Sequence, residues 1–106
     1  MLMFALCDDG GIVVFDSADH PPNSMEWIDV ENGEYHFCDE HGQLYMGQIV
    51  RPATFFRPEQ WCLVPVGPPS TDNVSSLIEE AIYLNPNKFG FADLRSFKQY
   101  LFRHER

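Results

Sequence analysis

The sequence predicts an α+β fold: a twisted antiparallel β-sheet of five or six strands, followed by two C-terminal helices packed on one face. Two observations predict it. Residues 1–69 hold short apolar runs punctuated by Gly, Pro, Asn and Asp. Residues 70–106 instead space their apolar side chains by three and four behind capping residues. Strands first and helices after them read as one α+β domain, with a β-rich part (1–69) and a helical part (70–106). With 106 residues, 44% of them hydrophobic, the chain suffices for one core without disulfides or metal.

The first element is a hairpin. Leu2 to Cys7 and Ile12 to Phe15 flank Asp8-Asp9-Gly10-Gly11, whose residues favour the positive φ of tight turns. Residues 17–24 contain Pro21-Pro22 and read as a loop. Glu26 to Val30 and Glu34 to Cys38 flank Glu31-Asn32-Gly33, and Asn-Gly between β-formers predicts a second hairpin. Glu34, His36 and Cys38 alternate with Tyr35 and Phe37, which puts the aromatics on one face. Gln43 to Val50 continues the meander, with Leu44 and Met46 opposite Tyr45, Gly47 and Ile49. Trp61 to Val66 follows, and Pro65 assigns it to an edge or a strand end. Ser70 or Thr71 caps a helix whose buried stripe is Val74, Leu77, Ile78, Ala81 and Ile82, ending at Asn85-Pro86. A second helix runs from about Phe91 to about Arg103, with Leu94, Phe97 and Leu101 inward and Asp93 near its start.

Charge divides the chain. The net charge is -9, yet residues 1–50 hold ten acidic residues and no Lys or Arg, whereas residues 51–106 hold six acidic and all seven basic residues. Such a one-sign half makes a negative field that repels nucleic acid and anionic lipid and attracts a basic protein. Lys88, Arg95, Lys98, Arg103 and Arg106 suit a helix C-terminus better than direct nucleic-acid contact. Three widely spaced cysteines, Cys7, Cys38 and Cys62, point to reduced thiols and a cytoplasmic protein. The opening MLMFALC lacks the basic flank and length of a signal peptide, and no run approaches the roughly 20 apolar residues that cross a bilayer.

Candidate chemistry is sparse. His36, Cys38 and His41 are of zinc-ligand type, but they need a fourth ligand from Cys7 or Cys62. The same residues offer a thiol–imidazole pair, Cys38 with His41, but the adjacent Asp39 and Glu40 oppose a thiolate. No phosphate-cradling loop or nucleophile elbow is present, and no cofactor is implied.

The expected function is therefore a small acidic protein-binding module, not an enzyme. Its partner-binding residues are Asp8, Asp9, Asp16, Asp19, Glu26, Asp29, Glu31, Glu34, Asp39 and Glu40, with Trp27 and Tyr35 as apolar anchors. A basic partner such as a nuclease toxin fits, because a nuclease groove is basic to hold phosphates. In size, acidity and lack of catalytic motif the chain resembles the immunity proteins with which bacteria neutralise toxins. Those proteins share no motif, so no residue is carried across. The alternatives are a small zinc-binding or thiol enzyme using His36, Cys38 and His41, and a subunit of an obligate complex or homodimer using the edge at Trp61 to Val66.

Overall fold

The computed structural model describes residues 2–18 and 21–103. In chain order the elements are β1 (Met3–Cys7), β2 (Gly11–Phe15), α1 (Pro21–Ser24), α2 (Trp27–Glu31), β3 (Tyr35–Asp39), β4 (Leu44–Arg51), β5 (Gln60–Val66), α3 (Thr71–Glu80), β6 (Tyr83–Leu84) and α4 (Leu94–Leu101). The α+β class is as expected. Six strands form one sheet in the order β5-β4-β3-β1-β2-β6.

Both faces of the sheet are covered. Phe4, Leu6, Ile12, Val14 and Cys38 meet Val74 and Ile78 of α3 and Phe97 of α4 on one face. Met3, Ala5, Phe15 and Phe37 meet Trp61 and Leu63 of β5 on the other, with Trp27 and Val30 of α2 packed alongside. The alternation of β1 divides its side chains between the two cores, which is why nearly the whole strand is apolar. Phe97 is fully buried and meets Phe4 edge to face at 5.7 Å between centroids.

Five expectations are corrected. The sheet is mixed, because β6 runs parallel to β2 with Gly11 opposite Tyr83. That strand takes residues assigned to the first helix, so α3 ends at Glu80 and Ile82 is 74% exposed. The cause lies at the β1–β2 turn, where the Gly10 carbonyl accepts from the Ile82 amide at 2.7 Å and draws the chain into the sheet. A side chain at Gly11 would put its Cβ 2.6 Å from the Tyr83 ring.

Residues 26–30 are not a strand: Glu26 is the N-cap of helix α2 and residues 27–30 are most of the helix itself. Asn-Gly ends this helix instead of turning a hairpin, since a helix C-terminus uses the same positive φ. Gly33, at φ 77°, donates to the Val30 carbonyl, and Glu34 donates to the Asp29 carbonyl. Residues 17–24, expected as loop, contain the one-turn helix α1. Its prolines occupy a first turn, where no amide donor is required. Finally, α4 begins at Leu94, later than expected, because Asp93 and Ser96 form a capping box.

The hairpin β4–β5 departs from the rest of the sheet. β3 and β4 share only the pairs Phe37–Tyr45 and Cys38–Leu44, whereas β4 and β5 remain paired out to Arg51–Gln60. β5 is the outer strand, as Pro65 implied, and the long axis of the molecule is 52 Å against 29 and 22 Å. No helix among the described residues is long and apolar enough to cross a membrane.

Candidate functional site

The strand register separates the acidic candidates into two groups. Cys7 lies opposite Tyr35 at one end of the β1–β3 pair, and Met3 lies opposite Asp39 at the other. Asp8, Asp9, Asp29 and Glu34 collect at the Cys7 end. Asp16, Asp39 and Glu40 belong to the Asp39 end.

At the Cys7 end the helix cap sets the geometry. The two backbone bonds that close α2 fold Glu34 back over the last turn, so its carboxyl meets that of Asp29. Loss of solvation, the hydrogen bond and charge of Asp29, and the charge of Asp8 together raise the Glu34 pKa above its ordinary value. Next to them, Asp9 accepts from the Tyr83 hydroxyl at 2.5 Å and from the Gly11 amide at 2.9 Å. These bonds hold Asp9 below the usual carboxylate range. Asp8, Asp9, Glu34, Tyr35 and Tyr83 line an open groove of about 550 Å³. No Lys or Arg among the described residues forms an ion pair with these four acids.

The other acids differ in their surroundings. Asp39 is 3% exposed and is not available to a partner. Its carboxylate accepts from the amides of His41 and Gln43 at 2.9 and 3.0 Å and from the Tyr45 hydroxyl at 3.0 Å. Glu40 accepts from the Leu2 amide and the Tyr100 hydroxyl and lies 3.7 Å from Arg103. Burial opposes its charge, but these bonds and the nearby His41 and Arg103 outweigh burial and keep it below its ordinary value. Both acids, expected at the binding face, are internal structure instead. Asp16 is exposed and 3.8 Å from Lys88. Glu26, the N-cap of α2, and Glu31 at its end are exposed, and Asp19 lies outside the described residues.

Of the two expected anchors, Trp27 is half-buried against Trp61 at 5.8 Å and belongs to the second core. Tyr35 remains a wall of the acidic groove and also of a neighbouring apolar cleft of about 560 Å³. Tyr83 is the residue that sequence reasoning missed. Ile82-Tyr83-Leu84, three β-formers before Asn-Pro, was its available signal.

The zinc and thiol arrangement is not assembled. Cys38 is fully buried in the first core and its thiol donates to the Asp39 carbonyl at 3.3 Å, whereas His36 and His41 are exposed. Among the described residues no group of three His, Cys, Asp or Glu is placed to hold a metal ion. Burial, with Asp39 nearby, pushes the Cys38 thiol up to about 12. Burial, with Asp9 and Asp8 nearby, pushes Cys7 up to about 11. Both thiols stay protonated at neutral pH and are poor nucleophiles.

Comparison with protein-family models, curated proteins and solved structures finds no significant match for this chain.

Proposed function

We propose that the chain is a non-catalytic binding module that docks a basic protein through the acidic end of its sheet. The partner class that fits best is a nuclease toxin whose phosphate-binding groove the carboxylates of Asp8, Asp9, Asp29 and Glu34 occupy, as in an immunity protein. The observation that supports this reading is the convergence of Glu34 on Asp29 and Asp8 with no cation among the described residues to relieve it. Folding holds these charges together at a cost, and a partner's Lys or Arg removes that cost on binding. The exposed Glu26 and Glu31 extend the field that steers approach.

The test is capture from the native cell with wild-type and Glu31→Lys/Glu34→Lys baits side by side, then kinetics with the captured protein. A basic partner is expected, its activity blocked by the wild type. Its association rate should fall about tenfold or more from low to high salt. An affinity indifferent to salt and to the charge reversal sinks the proposal.

A further inference from the structure

Exposed apolar surface concentrates on one part of the molecule. Among the described residues, six of the nine exposed large hydrophobic side chains lie on β4, β5 and the loop between them: Met46, Ile49, Val50, Phe55, Phe56 and Val66. Phe55 and Phe56 at the tip are 94% and 90% exposed and meet edge to face at 5.0 Å between centroids. Large aromatic rings of this kind favour burial against a partner surface, and this fold alone supplies none for them.

At the base of the same arm, where β3 and β4 part, lies the apolar cleft of about 560 Å³. Its walls include Leu44, Met46, Val66 and Leu77, and Glu31 lies at its margin. The tip carries two aromatic rings followed directly by the exposed Arg57. Tip and cleft are thus complementary in both polarity and charge. A tip does not reach its own cleft. From Gly47 to Arg51 an extended strand spans about 13 Å, and the Phe55-Phe56 loop lies beyond that.

We infer that the occupant of the cleft is the arm tip of a second copy of this chain, in a reciprocal two-fold exchange. Antiparallel arms lay each tip over the other's base, so that one operation fills both clefts and closes the assembly. Phe55 and Phe56 enter the apolar cleft and Arg57 approaches Glu31 of the other copy. Charge favours this route over others. Residues 44–66 carry only Arg51, Arg57 and Glu59, whereas residues 1–43 carry ten acids and no Lys or Arg. Two chains of net charge -9 therefore meet through the arms without opposing their acidic halves. Each Phe brings about 150–250 Å². With the aliphatic side chains of β4 and β5, the face is of the order of the ~800 Å² per partner of a stable interface.

The cleft shares Tyr35 with the acidic groove, and Glu31 serves both surfaces, but self-association needs no basic partner and is tested on the purified chain alone. Light scattering of the wild type should give twice the chain mass. Phe55→Ser/Phe56→Ser, both at exposed positions, should keep the far-ultraviolet spectrum and weaken the dimer by at least about thirtyfold. Arg57→Glu should also weaken it, and Glu31→Arg in the same chain should restore it. A photoreactive benzophenone side chain at position 56 should cross-link to residues 44–46 or 66–77 of the second copy. A monomeric wild type overturns the inference. So does a dimer that survives the Phe substitutions, or one that cross-links elsewhere.

Discussion

The two ends of β3 carry carboxylates of the same kind in opposite circumstances. At the Asp39 end, Asp39 and Glu40 are saturated by amides, tyrosine hydroxyls and Arg103. At the Cys7 end, Asp8, Asp29 and Glu34 face one another, and Glu34 is held above its ordinary pKa by lost solvation and by those neighbours. The first set stitches β1, the β3–β4 turn and α4 together. The second set opposes itself. Net charge alone does not separate structural acids from acids left for a partner; what each oxygen accepts does.

The largest expected effect falls at the saturated end. Asp39→Ala removes a buried acceptor from two amides and a hydroxyl and should cost about 3 kcal/mol in denaturant unfolding. Glu40→Gln should cost about 1–2 kcal/mol, because the neutral amide accepts more weakly from Tyr100 and Leu2 and loses Arg103. The two variants should differ in acid. Glu40 is depressed in the folded chain, so its stabilisation is present above the ordinary value of 4.5 and is lost as pH falls through the folded value. Glu40→Gln should flatten that part of the stability–pH curve.

Glu34→Gln should give the smallest change, with the opposite sign. Because the folded pKa of Glu34 is raised, its contribution to stability is present below 4.5 and is lost as pH rises through the folded value. At neutral pH the substitution should therefore raise the melting temperature slightly while weakening capture of the basic partner. A variant that loses both stability and binding would place Glu34 with the structural acids and erase the contrast between the ends.

Much of the fold was legible because its signals are local. The β1–β2 turn, the edge placement of Pro65 and the inner stripe of α4 each follow from a few adjacent residues. What failed was ambiguous locally. Asn32-Gly33 supplies the same left-handed residue to a hairpin and to a helix end, and only packing of Trp27 and Val30 on the second core decides between them. Ile82 continued a helical period, yet a carbonyl more than seventy residues earlier in the chain claimed its amide. The acidic site was legible as a charge imbalance but not as a list of residues. Counting acids placed Asp39 and Glu40 beside Asp8 and Glu34, and the register of β1 against β3 separates them.

The two-residue strand β6 has a consequence out of proportion to its length. Without it, β2 would offer bare backbone at Gly11 and Ile12, the start of Gly-Ile-Val-Val-Phe, an uncharged run rich in β-formers. Gly11 leaves room for the Tyr83 ring to lie there. This glycine and that short cover thus blunt the start of the edge at the end of the sheet opposite β5, where another strand would otherwise begin to pair.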